Sequence, residues 1–276
     1  MADKKIAAPI ELYHETYGKG DPLLCLHGFG GSLYSWRNFI GPLSKDYQLI
    51  LIDLKGFGKS PKPKDSRYSP FDHAELIHQF ILEHKLNRLT LIGNSFGGAI
   101  TLVLAIMLQE GRESARLKSL ILIDSGAYKD HVPLFLRLLS VPIINLFAYL
   151  VPGTVAVKNV LGLSYYDQKK ITEAQIEAYA NPLSEPGARH ALLETGKQMV
   201  PRNFDDLVVK YKTIEAPTLI IWGRQDQVLS LKSGVRLSQD IRNSTLKVIE
   251  QCGHVPQEEK PEETIPLVLD FLATHS

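Results

Sequence analysis

Residues 91–100 read LIGNSFGGAI: an apolar pair, a glycine, two polar residues, then Phe96, two more glycines and a return to apolar side chains. Gly93-Asn94-Ser95-Phe96-Gly97 has the form G-x-S-x-G. It directly follows an apolar run and directly precedes a stretch of helical character, and this context gives the pentapeptide its meaning. A serine on so sharp a strand-to-helix turn takes a strained backbone, and small neighbours let strand and helix approach closely. The hydroxyl then stands above the strand end, at the positive end of the following helix. The competing reading is a glycine-rich turn whose serine only caps the helix.

Outward from this turn the same grammar repeats. PLLCLHG (22–28), YQLILID (47–53), LTLIGNS (89–95), SLILIDS (119–125), PTLIIWG (217–223) and TLKVIEQCGH (245–254) are apolar runs that end in turn residues. Several are apolar at consecutive positions, as in parallel strands covered on both faces. ELYHETYGKGD (11–21) alternates and suits an antiparallel strand near a sheet edge. Helical patterns lie between: DHAELIHQFILEHKL from Asp72, the segment after Ser95, and PEETIPLVLDFLATHS, where Pro261 suits a first helical position. The order βαβα predicts an α/β fold with a mostly parallel central sheet flanked by helices.

The alternation fails from about Tyr128 to Tyr211, where VPLFLRLLSVPIINLFAYLVPG gives way to helical stretches such as DQKKITEAQIEAYA (167–180). A helical cap inserted between two strands is expected over residues 128–211, on a core formed by residues 1–127 and 212–276. The apolar part is nearly long enough to span a bilayer, but Arg137, Asn145 and three internal prolines interrupt it. Stable membrane insertion is therefore not expected.

Composition bounds the partners. Lys and Arg total 31 against 30 Asp and Glu in 276 residues, a net charge of +1, so no global field favours nucleic acid. A small-molecule substrate is expected. The N-terminal charges have no continuous apolar run behind them, which argues against a secretory signal and for a cytoplasmic location. Cys25 and Cys252 show no metal-ligand spacing and read as buried free thiols.

A serine hydroxyl needs a base, and the base needs an orienting acid. Asp226 lies just past the strand TLIIWG and His254 just past the next run, in the order Ser, Asp, His. Of the nine histidines, His73, His78 and His84 share one predicted helix, and His14, His131, His190 and His275 lack a strand-end setting. His27 ends a strand, but early in the chain, where it braces a glycine loop. For the acid, Asp53 precedes the serine and opens a turn of its own, whereas Asp124 also ends a strand and competes with Asp226.

The segments HGFGGSLYSW (27–36), DLKGFGKS (53–60), GNSFGG (93–98), WGRQDQ (222–227) and GHVPQEEKPE (253–262) together make the chain resemble the α/β-hydrolase superfamily, from about Pro22 to the C-terminus except the expected cap. The resemblance implies an oxyanion hole made by the backbone N–H groups of Phe29 and Phe96. It needs no metal or organic cofactor. Ser95 stands where haloalkane dehalogenases and epoxide hydrolases carry aspartate, which argues against both. GNSFGGA is similar to the meta-cleavage-product hydrolases, but their loop after His-Gly typically reads Ser-Gly-Pro-Gly, and Trp commonly follows their catalytic histidine. Here Phe29-Gly30-Gly31-Ser32 and Val255 occupy those places. The expectation is a serine carboxylic-ester hydrolase with Ser95, His254 and Asp226 as its triad. Carbon–carbon hydrolysis is the alternative, and a ligand receptor with vestigial turnover the alternative of another class. The acyl and alcohol groups, the stereochemistry and the oligomeric state are left open.

Overall fold

The computed structural model describes residues 10–111, 116–129, 153–201 and 204–275. The apolar runs become the strands β1 (His14–Tyr17), β2 (Pro22–Leu26), β3 (Gln48–Ile52), β4 (Leu89–Asn94), β5 (Leu117–Ile123), β6 (Thr218–Gly223) and β7 (Ser244–Ile249). They form one seven-stranded sheet in the order β1-β3-β2-β4-β5-β6-β7. Only β1 is antiparallel to its neighbour, pairing His14 with Ile52 at the sheet edge.

Parallel register aligns the apolar runs side by side: Cys25 lies beside Leu51 and Ile92, and Ile121 beside Ile92 and Leu219. Successive strand residues point to opposite faces. Leu24, Ile50, Leu91, Leu122 and Ile220 accordingly enter one core layer, and Leu23, Leu49, Ile92, Ile121 and Ile221 the other. β7 differs from the other parallel strands. It is the opposite edge strand, with Thr245 and Lys247 exposed, and an edge lysine discourages further strand pairing.

The helices before β5 are α1 (Arg37–Leu43), α2 (Pro70–Glu83) and α3 (Phe96–Glu110). α2 begins at Pro70 rather than Asp72, because Ser69 accepts from the Asp72 N–H while the Asp72 carboxylate accepts from the Ser69 N–H. Two orphan donors are thereby satisfied. α3 is buried almost throughout its first eleven residues.

Between β5 and β6 the described residues form α4 (Gly153–Ser164), α5 (Glu173–Ala180), α6 (Ala188–Gln198) and α7 (Phe204–Lys210). The stretch 167–180 is not one helix. A short 3-10 turn at Gln168–Lys170 ends at Ile171, and Thr172 caps α5 through a reciprocal pair with Gln175. Beyond β6 come α8 (Leu231–Asp240), α9 (Pro256–Glu259) and α10 (Pro261–Thr274), the last starting at Pro261 as the sequence predicts. Phe39 and Leu43 of α1 meet Val268, Phe271 and Leu272 of α10 on one sheet face, while α2, α3 and Leu237 of α8 cover the other. Parallel strands with helices on both faces leave their carboxyl ends open for a site.

Candidate active site

Ser95 follows β4 with φ 53° and ψ −115°, a left-handed φ that costs on the order of 1–3 kcal/mol for a residue with a side chain. Hydrogen bonds hold it there: its N–H donates to the Ile123 carbonyl at 3.0 Å, and its own carbonyl accepts from Gly126 at 2.9 Å. Gly93 and Gly97 are required by close approach, since a Cβ on either would meet backbone. The Ser95 hydroxyl makes no capping bond to α3. It donates instead to Nε2 of His254 at 2.8 Å.

His254 is delivered by the loop after β7. Its Nδ1–H donates to Oδ2 of Asp226 at 2.8 Å, its backbone N–H to the Ser164 carbonyl at 2.6 Å, and its carbonyl accepts from Nδ2 of Asn94 at 3.2 Å. The ring is therefore fixed at both nitrogens and along its backbone. Asp226 stands in the loop after β6, where its Oδ1 accepts from the N–H groups of Val228 and Leu229 at 2.7 and 2.9 Å. Trp222 braces this loop by donating Nε1–H to the Leu229 carbonyl at 3.0 Å. Gln225 joins it to the histidine loop, donating its N–H to Cys252 and accepting from the Cys252 N–H through its side chain.

The structure thus brings Ser95, His254 and Asp226 into one hydrogen-bonded chain. Asp124 stands beside this chain at the end of β5, fully buried, and does not receive the histidine bond. Burial pushes its carboxyl well up, with the neighbouring Asp226 adding to the effect. Asp53 anchors its turn, accepting from the N–H groups of Leu33 and Lys59, both at 2.7 Å. His27 braces the glycine loop: Nδ1–H donates to the Gly28 carbonyl at 2.8 Å while Nε2 accepts from the Leu54 N–H at 3.0 Å. Burial lowers its pKa, so this neutral tautomer is kept.

The glycine loop passes close to Ser95. A Cβ on Gly28 would lie 3.2 Å from that of Ser95, and Gly30 uses a positive φ of 71°. The Phe29 ring packs edge-on against Phe57 at 6.0 Å. Phe96 is the first residue of α3, where an N–H has no intrahelical acceptor. A cavity opens on Ser95 and Phe96, lined further by Tyr128, Val200, Phe204 and Leu229. A wider groove bordered by Gln109, Lys212, Glu215 and Arg242 lies at the other edge of the sheet, before the starts of β6 and β7, and holds none of these groups.

Asn94, Glu259 and the wall formed by Met199, Val200 and Phe204 are not singled out by any motif in the sequence. Buried Glu259 accepts from the N–H groups of Gly253 and Tyr166 through one oxygen and Asp167 through the other, so it clamps the histidine loop to the chain after α4. The available signal was the acidic pair Glu258-Glu259 following Pro256, where exposed carboxylates would serve a short helix equally well. Residues 130–152 of the expected cap, with His131, Arg137 and Asn145, lie outside the described residues.

This hydrogen-bonded set of side chains lies at the carboxyl edge of a mostly parallel α/β sheet, and the comparisons give the class of the fold. The chain belongs to the alpha/beta hydrolase fold family, whose sequence profile matches residues 21–261. It is 30% identical to the uncharacterized hydrolase YugF of Bacillus subtilis (strain 168), over 95% of this chain and 94% of that protein. It is also 30% identical to 2-hydroxymuconate semialdehyde hydrolase of Pseudomonas sp. (strain CF600), over 97% of this chain and 92% of that protein. The meta-cleavage product hydrolase CumD from Pseudomonas fluorescens IP01 superimposes with a TM-score of 0.81 at 26% identity, covering 97% of this chain and 96% of that one. Among the described residues no helix is long and apolar enough to cross a membrane.

Proposed function

We propose that the protein is a serine hydrolase that cleaves carboxylic esters of small to medium, largely apolar substrates through an acyl-enzyme. One observation carries this reading: the continuous hydrogen-bond chain from Ser95 through His254 to Asp226, on a strained turn that opens into an apolar-walled cavity. Ser95 Oγ attacks the acyl carbon as His254 Nε2 takes its proton, and His254 then returns that proton to the departing alkoxide. Asp226 holds the imidazole tautomer and stabilises the transient imidazolium. The negative charge on the former carbonyl oxygen is met by the N–H groups of Phe96 and Phe29, each such donor contributing about 3 kcal/mol. Water, deprotonated by His254, releases the acid. Every proton and electron pair moved belongs to substrate, water or these residues, so no metal or organic cofactor is called for.

The helices within residues 128–211 act as a cap in this reading, supported by Met199, Val200 and Phe204 reaching the cavity wall. The buried free thiols Cys25 and Cys252 suit a reducing compartment, and the reaction is assigned to the cytoplasm. Each methylene buried against such a wall adds about 0.8 kcal/mol. kcat/KM should therefore rise from acetyl to butyryl or hexanoyl nitrophenyl esters and fall for longer chains.

Carbon–carbon hydrolysis is the second reading, favoured by the names of relatives such as 2-hydroxymuconate semialdehyde hydrolase and CumD. A substrate carboxylate of that chemistry calls for a cation. The described cavity lining carries no charged side chain. The deciding experiment measures the ester series and a dienoic keto acid under one condition. Sustained turnover with esters preferred supports the esterase. A clear preference for the keto acid replaces it with carbon–carbon hydrolysis, and product limited to one equivalent per chain points to a receptor.

A further inference from the structure

Asp124 is a buried carboxyl group that the mechanism leaves unused. It follows β5 directly, with a left-handed φ of 41°, and its N–H donates to the Ile221 carbonyl at 3.0 Å. Oδ1 accepts from the Gly223 N–H at 3.0 Å, whereas Oδ2 has no hydrogen-bond partner among the described residues. Ligand atoms of Asp124, Asp226 and His254 all lie within 4.8 Å of one another. Two buried carboxylates at this separation repel when both are ionised, and one of them keeps its proton. Asp226 already accepts three hydrogen bonds, from His254, Val228 and Leu229, so its oxygens are engaged as acceptors. Of the other titratable groups around Asp124, Glu259 is a further carboxylate, Cys252 is a buried thiol held in its neutral form, and the His254 ring directs its two nitrogens to Asp226 and Ser95 rather than to Asp124.

From this arrangement we infer that Asp124 is a neutral carboxylic acid whose O–H donates from Oδ2 to the Asp226 carboxylate. It is a positioning residue for the triad acid, keeping Oδ2 of Asp226 aimed at His254. The inference rests on the serine mechanism proposed above. It adds a fourth member to the chain, one whose contribution requires that it stay protonated. Burial and the adjacent Asp226 push the Asp124 carboxyl up, opposed by the Gly223 N–H. Its deprotonation at alkaline pH places two anions together, turns Asp226 away from the imidazole and lowers kcat.

Asparagine is the informative replacement. Its oxygen can keep the Gly223 bond, its NH₂ can take over the donor role of Oδ2 at any pH, and asparagine tolerates a left-handed φ better than alanine. Asp124→Ala removes the donor, and kcat for nitrophenyl butyrate should fall on the order of tenfold to a hundredfold, with KM little changed, as for a misplaced rather than missing group. Asp124→Asn should recover most of that loss and abolish the alkaline decline of the parent protein. Should Asp124→Ala fail to fold, Asp124→Asn and the parent suffice.

Infrared difference spectra between the parent and Asp124→Asn at neutral pH read the proton itself. The parent should show the carbonyl stretch of a protonated carboxylic acid, shifted in D₂O and lost in the variant. Loss of the band together with a flattened alkaline limb supports the inference. Absence of the band from the parent, or an alkaline limb unchanged in Asp124→Asn, overturns it. The band does not depend on turnover: failure of the serine mechanism would appear as full activity in Ser95→Ala, whereas failure of this inference alone would appear as a missing band with Ser95→Ala inactive.

Discussion

At the scale of single residues, a hydroxyl that is a weak nucleophile at neutral pH is placed where its proton has somewhere to go. In the proposed mechanism the 2.8 Å bond from Ser95 to His254 gives the hydroxyl proton an acceptor, and the 2.8 Å bond from His254 to Asp226 fixes the tautomer of that acceptor. Asp226→Asn keeps the shape of this acid but replaces an acceptor by an amide, which favours the wrong imidazole tautomer. Ester turnover should fall roughly 10⁴-fold while the thermal midpoint changes little, measured by initial rates and calorimetry. Near-parental turnover would show that another carboxylate supports His254. Ser95, Asp226 and His254 were legible in the sequence because each ends an apolar run, and a parallel sheet gathers run ends at one edge. Choosing Asp226 over Asp124 was harder, since both end strands. Only the loop after β6, with its Val228 and Leu229 N–H donors, carries a carboxylate out to Nδ1 of His254.

At the scale of elements, the short helix α9 joins the histidine loop to the helices between β5 and β6. Glu258 is buried, where it accepts from Arg37 Nη1 at 2.6 Å and from the Tyr179 hydroxyl at 2.7 Å, and Tyr179 also bonds Ser35 at 2.9 Å. Burial raises the Glu258 pKa, and Arg37 opposes that rise. Removing the cation from a buried pair strands the remaining charge. Arg37→Ala should therefore destabilise the protein by about 3 kcal/mol near pH 8, measured by urea unfolding. Without Arg37 the folded-state pKa of Glu258 rises further above its unfolded value. The folded protein then takes up a proton that the unfolded chain releases, and stability falls as pH rises through that interval. The deficit should accordingly be smaller near pH 5 than near pH 8, and an equal deficit at both would mean that Glu258 is not charged in the parent. None of this network is written in sequence periodicity. Arg37 and Glu258 are 221 positions apart, and each reads locally as a surface charge.

At the scale of the whole molecule, strand order converts a linear series of apolar runs into a single open edge. The α/β class and most strands follow from consecutive apolar residues, whose two-sided burial is visible in the pattern itself. The edge position of β7 is not, because Leu246, Val248 and Ile249 outweigh Lys247 when the run is read alone. The cavity wall is less legible still. Val200, Phe204 and Leu229 look like ordinary core residues until the chain between β5 and β6 is placed over α3. The most direct test of the account compares Ser95→Ala with the parent, following nitrophenyl butyrate turnover and labelling by a fluorophosphonate. The expected result is a folded variant with turnover reduced by at least about 10⁴-fold and no label, and a parent labelled on Ser95. A folded Ser95→Ala protein with near-parental turnover would contradict it.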